Sequence, residues 1–217
     1  MDLKQAMKER HTVRKYMDKP LSDDIIEKLQ ERVKENNEKY NLSIKLIIND
    51  QSALMGFAKM FISKGVNNFF VLAGEEGSDE YCGYCSADIM LYAQTLGLNT
   101  WWVGGMYNKK GAKEKTDGSH TVGIVAVGYG STQGTAHKSK DFSQVCSYDG
   151  DMPQWFIDGV NAALLAPTAI NKQAFKITGN GKKVSISYKF GPFDKVDKGI
   201  VKYHFELGAG IDNFEWE

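Results

Sequence analysis

The run Thr121-Val122-Gly123-Ile124-Val125-Ala126-Val127-Gly128-Tyr129 carries no charged side chain in nine consecutive positions. A strand that is apolar without alternation is buried on both faces. A chain containing one must cover a sheet from both sides. At 217 residues this chain is long enough for one substantial core, or for one domain and a partial second copy. Neighbouring segments supply the remaining parts. Ser43 to Ile48 and Asn68 to Ala73 read as further strands, separated by an amphipathic or irregular stretch from Leu54 to Ile62. Val184, Ile186 and Tyr188 alternate as another strand, and Tyr81 to Leu96 reads as a long helix ended by Gly97. The expected class is α+β, a central mixed or antiparallel sheet flanked by helices.

Charge narrows the partners. The chain has 27 basic and 27 acidic residues, so no global field attracts nucleic acid or an anionic membrane. No segment approaches the roughly twenty apolar residues that span a bilayer, and the start, Met1-Asp2-Leu3-Lys4-Gln5, lacks the pattern of a signal peptide. Three cysteines do not form a disulfide framework, so a reducing cytoplasm is expected. Cys82-Gly83-Tyr84-Cys85 reads as buried small residues, since a closed zinc site needs about four ligands and Cys146 has no neighbouring histidine. His11, His120, His137 and His204 show neither metal nor triad spacing, and no metal is expected.

Two stretches carry chemistry. An amphipathic helix beginning with Leu3, Ala6 and Met7 runs into Glu9-Arg10-His11-Thr12-Val13-Arg14-Lys15-Tyr16, which groups three cationic or titratable side chains and a hydroxyl within five positions. Arginine forks match phosphate and the carbonyl edge of a heterocycle, although a basic stretch alone also describes a solvated face. The second stretch is Leu164-Leu165-Ala166-Pro167-Thr168-Ala169-Ile170-Asn171-Lys172-Gln173-Ala174-Phe175. It ends a helix on which Phe156, Ile157, Val160, Ala163 and Leu164 share a face, and Pro167 either stops that helix or starts a new one. Free backbone N–H groups beside Thr168, Asn171 and Gln173 suit the edge of a planar polar ligand. A helix–loop–strand corner with polar caps has the same composition.

Ala166 to Phe175 resembles the A-P-S-[AS]-x-N-x-Q-P-[WF] motif of the FMN-dependent nitroreductase family, with Thr168 in place of Ser and Ala174 in place of Pro. Arg10 to Tyr16 resembles that family's R-[RH]-[ST]-x-[RK]-x-[FY] signature. Leu96-Gly97-Leu98-Asn99-Thr100-Trp101-Trp102-Val103-Gly104-Gly105 resembles its L-G-L-G-T-x-W-[IV]-G-G segment, and Asp197 to Gly208 its D-x-G-x-x-x-x-[HN]-[FL] helix. The resemblance implies FMN as cofactor and NAD(P)H as transient co-substrate. Arg10, His11 and Thr12 would bind the phosphate and ribityl side, and Arg14 the pyrimidine edge. Trp102, Gly104 and Gly105 would lie near the hydride-accepting nitrogen, and Lys138 and Lys140 would add charge at the phosphate. Pro167, Thr168, Ala169, Asn171 and Gln173 would line the ring. Arg14, Gly104 and Gly105 are the positions expected to act in catalysis.

One departure matters. The family sets the A-P-S motif close behind its arginine motif, whereas here it follows the whole first sheet. The order of elements before about residue 145 (helix, strand, strand, long helix) returns in 146–217 as helix, corner, strand, strand, helix. That order implies a degenerate pseudo-two-fold repeat within a single domain, 1–217. Family dimers build each site from two subunits, so a fused chain would supply both sides of one site. A monomer with a pseudo-dimeric fold is expected, or an ordinary homodimer. The implied activity is hydride transfer from NAD(P)H through FMN to a nitroaromatic, quinone or similar small acceptor. A non-enzymatic flavin-binding or sensor protein on the same fold is the alternative.

Overall fold

The computed structural model describes residues 1–56 and 58–217, so that Phe57, within the expected irregular stretch, lies outside the described residues. Helix α1 (Leu3–Glu9) leads through an arm to α2 (Asp23–Tyr40). Strand β1 (Lys45–Ile47), a π-helical turn (Ala58–Ile62), β2 (Phe69–Gly74), α3 (Asp79–Thr95), β3 (Asn99–Val103), α4 (Lys109–Lys115) and β4 (His120–Gly128) follow. The remainder is α5 (Phe142–Val145), β5 (Cys146–Asp149), α6 (Gln154–Ala163), a 3-10 turn (Ala169–Asn171), β6 (Phe175–Asn180), β7 (Lys183–Tyr188), α7 (Asp194–Ala209) and β8 (Glu215–Trp216).

The α+β class holds, and the strands divide into two four-stranded sheets. The first, in the order β1-β2-β4-β3, is antiparallel throughout. Its apolar strand β4 is interior, and every residue from Val122 to Gly128 is buried. From Ile124 to Val127 alternate side chains serve different layers, and a register shift opposite Leu72 and Ala73 puts Val122 on the main-core side. Val122, Val125 and Val127, with Phe70 and Leu72 of β2, join the main core against α3. Ile124 and Ala126, with Phe69 and Val71, face a second cluster closed by Tyr16, Leu54, Trp101 and Tyr107. The second sheet, β5-β6-β7-β8, is mixed, with β6 and β7 antiparallel and the short edges β5 and β8 parallel to them. Its buried Ile177, Val184 and Ile186 join the main core with Phe156, Phe205 and Phe214, whose rings pack edge to face on one another and on Trp216 of β8.

Two boundaries differ from expectation. Helix α1 stops at Glu9 instead of running on through the basic stretch. Tertiary bonds take the arm's N–H groups: Val13 N donates to Thr100 O (3.1 Å), Tyr16 N to Lys64 O (2.8 Å) and Met17 N to Tyr129 O (2.8 Å). Helix α7 begins at Asp194, well before Gly199, with Asp194 and Asp197 in its first turn where the helix dipole favours acids.

Helices α3 and α7 cross without space for side chains. A methyl group on Gly83 would lie 2.0 Å from Val196 O, and one on Gly199 would lie 1.9 Å from Glu80 O. The relation is reciprocal, each glycine meeting the carbonyl three residues before the other. Glycine is required here for close approach. Gly83→Ala and Gly199→Ala should each cost about 1–3 kcal/mol or more through overpacking. Combined, they should cost less than their sum, because the first methyl already parts the helices. Urea denaturation of the two single variants and the double variant checks both expectations.

Candidate functional site

Arg10 ends α1 and is buried, with 5% of its surface exposed. Its Nε has no hydrogen-bond partner, and among the described residues Arg10 forms no ion pair. This is not how the fold treats other buried charge. Asp88, equally buried, accepts two bonds from Arg32 (2.6 and 2.7 Å), one from Asn36 Nδ2 (2.8 Å) and one from Tyr203 OH (2.7 Å). A buried charge left unpaired is costly. Burial lowers the Arg10 guanidinium to about 10, so it stays charged at neutral pH.

More unpaired polar atoms accompany it. Thr100 Oγ1 and Trp102 Nε1, two residues apart and so on one face of β3, are buried without partners among the described residues. Thr100 pairs with Thr12 of the arm in a β-bridge. On α7, His204 Nδ1 contacts Ile200 O (2.8 Å) while its Nε2 is buried and unpartnered. Burial, reinforced by the fields of Arg10 and His137, drops His204 to about 3, leaving it neutral. His11 is lowered as well, by burial first and then by Arg10 and His137. The end of α1, the loop after β4 and α7 thus gather one arginine and three histidines, and none of the four makes an ion pair with a carboxylate among the described residues.

The loop after β4 ties this cluster to the corner after α6. His137 Nε2 meets Leu164 O at 2.9 Å. Asn171 Nδ2 donates to Lys138 O (2.8 Å), Lys140 N donates to Gln173 Oε1 (2.8 Å), and Lys140 Nζ donates to Gln173 O (2.8 Å). Lys138, Lys140, Asn171 and Gln173 are therefore brought together. The Lys140 ammonium and both amides are engaged with one another, while the Lys138 side chain stays exposed. Thr168 Oγ1 accepts from Gln173 N at 3.0 Å. Within this corner Ile170, Asn171 and Gln173 all adopt left-handed backbone conformations, with φ of 46°, 55° and 45°. For a β-branched residue this is an outlier, and such strain costs about 1–3 kcal/mol per residue and gathers at functional sites.

Asp197 holds the corner from below. Ala169 N donates to both of its carboxylate oxygens (3.1 and 3.0 Å), and Tyr188 OH donates to Oδ2 (2.7 Å). Pro167 precedes this anchored turn and is half-buried. At the far end of β3, a methyl group on Gly104 would lie 2.5 Å from ring carbons of Phe193 and Trp102, whereas Gly105 is exposed with open space about it. Arg14 is exposed, its guanidinium 5.5 Å from the Trp101 ring centroid. Sequence reasoning did not assign roles to Thr100, His137, Asp197 or His204. Each is joined to the site across a long sequence separation, which no local pattern reports. Cys82 and Cys85 are buried within α3, where burial raises both thiols, Cys82 to about 11.

A family model described as "Putative TM nitroreductase" matches residues 2–209. The chain belongs to this nitroreductase family. Its fold is similar to that of a Thermotoga maritima protein described as a putative nitroreductase, with TM-score 0.68 and 20% identity over 96% of this chain and 84% of that one. Shorter nitroreductases match in part. An FMN-dependent nitroreductase from Clostridium difficile aligns with TM-score 0.52 and 16% identity over 64% of this chain and 95% of its own. A putative nitroreductase from Exiguobacterium sibiricum, solved in complex with FMN, aligns with TM-score 0.53 and 14% identity over 66% and 95%. A comparison with curated proteins gave no match. Among the described residues of this nitroreductase-family chain, no helix is long and apolar enough to cross a membrane, and no His/Cys/Asp/Glu group is disposed to hold a metal.

Burial pushes the Asp197 carboxyl up to about 6, Asp194 adding to the rise while Tyr188, Ala169 N–H and Lys172 oppose it. A folded value above the unfolded one means the folded state binds the proton more tightly. This contribution to stability is therefore complete below the unfolded value of about 4 and is lost as pH rises through about 6. Asp197→Asn cannot titrate. The melting temperature of the wild type relative to that variant should rise between pH 7.5 and pH 5, which paired thermal melts would show.

Proposed function

We propose that the protein is an FMN-dependent oxidoreductase that takes hydride from NAD(P)H and reduces a small acceptor such as a nitroaromatic or a quinone. The buried, unpaired Arg10 guanidinium carries this reading. With Thr100 Oγ1 and Trp102 Nε1 also lacking partners, the cradle has donors and positive charge and, among the described residues, no anion paired with Arg10, while His204, whose Nδ1 proton goes to Ile200 O, presents its Nε2 as an acceptor for a hydroxyl. A phosphate ester on a hydroxylated chain fits that donor set. Arg10, His11 and Thr12 hold the phosphate and ribityl side, with Lys138 exposed nearby and Lys140 fixing the corner. Bound there, FMN supplies a carrier that accepts two electrons with hydride and passes them on.

The chain's own part is to bind, orient and polarise. Arg14 places a cation at the pyrimidine edge, where negative charge is favoured on reduction. The open backbone at Gly105 allows close approach at the hydride-accepting nitrogen, while Gly104 is packed behind it. Pro167, Thr168, Ala169, Asn171 and Gln173 contribute the facing wall from the second half of the chain. The hydrogen bonds between Lys138–Lys140 and Asn171–Gln173 lie within one chain, which supports one fused site per chain. The shorter nitroreductases, which match about two thirds of this chain, fit the same reading of one full copy and one partial copy. Three free, buried cysteines suit a cytoplasmic protein.

Purified protein mixed with FMN and desalted should keep one FMN per chain and bleach under NAD(P)H without air. Retention without bleaching would indicate a flavin-binding sensor. No retention would reject the flavin reading. Arg10→Met offers a second check. Removing an unpaired buried charge should raise the melting temperature of the flavin-free protein, while FMN affinity falls by about tenfold or more. A simple structural arginine would lose stability instead.

A further inference from the structure

A cavity of about 480 Å³ opens beside the arm, between it and the segment that joins β1 to β2. Lys15, Lys59 and Lys64 line it together with Gln51, Ser63 and Asn67, and no carboxylate does. Among the described residues none of the three lysines forms an ion pair; Lys59 Nζ donates only to Gln51 O, at 3.2 Å. The nearest acid in sequence, Asp50, is turned to Lys115 (2.8 Å), and Lys115 and Ser52 hold its carboxyl down at about 2. In a chain with 27 basic and 27 acidic residues, three lysines without a carboxylate partner at one hollow give it a local excess of positive charge.

Its position gives the ligand. Lys15 and Lys64 are paired in a β-bridge, and Lys64 N donates to Arg14 O at 3.0 Å. The cavity is thus one residue from the cation assigned above to the flavin ring. Met60, 74% exposed on the π-helical turn, offers an adaptable apolar surface at its wall. We propose that this cavity binds the phosphates of the nicotinamide donor, and that the donor is the 2′-phosphorylated form, NADPH. A pyrophosphate carries two charges, and a phosphomonoester adds about 1.5 to 2 more. Three lysines therefore compensate the phosphorylated dinucleotide better than NADH. The inference rests on the flavin reading for the donor's role, and on the cavity alone for its phosphates.

The test uses 2′,5′-ADP, which has the 2′-phosphate and a 5′-phosphate but no nicotinamide, titrated calorimetrically against 5′-AMP and adenosine. Lys15→Gln/Lys59→Gln/Lys64→Gln is compared with wild type and with Lys109→Gln/Lys110→Gln/Lys113→Gln, which changes the net charge equally on exposed α4. Wild type and the α4 variant should bind 2′,5′-ADP about tenfold more tightly than the cavity variant, with a stronger salt dependence. The cavity variant should also lose about tenfold in kcat/KM for NADPH, while bleaching by N-benzyl-dihydronicotinamide, which has no phosphate, is unchanged. Equal 2′,5′-ADP binding by the cavity and α4 variants, or wild-type binding no tighter than that of 5′-AMP, overturns the proposal. Protein that keeps no FMN yet binds 2′,5′-ADP through these lysines rejects the flavin reading and leaves the cavity assignment standing.

Discussion

Where α3 meets α7 the two backbones touch, and most of the architecture is set by that contact. With hydrogen in place of a side chain at Gly83 and Gly199, each helix lays a carbonyl against the other's glycine. Polar pairs then surround the crossing: Tyr84 donates to Glu206, Tyr203 to Asp88, and Lys198 and Lys202 flank Glu80. Helix α3 covers the antiparallel sheet and α7 covers the mixed one, so the crossing fixes how one shared core serves both. It also fixes the site. Asp197 lies two residues before Gly199, and its carboxylate carries the backbone of the corner.

Against that rigid centre, the distribution of charge is selective. A chain without net charge gives its buried Asp88 four hydrogen bonds and, among the described residues, leaves its buried Arg10 without an ion pair and its Nε without a partner. Near α7 the same low-dielectric surroundings keep His204 neutral. Desolvation therefore leaves Arg10 a cation and His204 a neutral ring.

Much of this was legible in the sequence for reasons that can be named. The unalternating apolar run could only be an interior strand, and β4 is one. The arginine arm and the Pro167–Gln173 corner carried motif residues, and the fold brings them into one neighbourhood through the His137–Lys140 loop. What failed was local reasoning about segments ruled from a distance. The helical pattern of α1 seemed to continue through Arg10, yet carbonyls of Thr100, Lys64 and Tyr129 draw that segment out straight. Strands β5 and β8, four and two residues long, have no periodicity to read and depend on the aromatic cluster beneath them. The bond from Ala169 to Asp197 spans 28 residues, and neither end hints at the other.

The left-handed backbone of the corner inverts the usual meaning of conservative replacement. Valine in place of Ile170 preserves shape and hydropathy, yet it keeps the branched carbon that this conformation disfavours. Glycine or asparagine, poor substitutes almost anywhere else, would fit the backbone more easily. Ile170 is 86% exposed, so no core demands its side chain. Across homologous chains, this position should drift towards residues that look radical by chemistry and are mild by geometry.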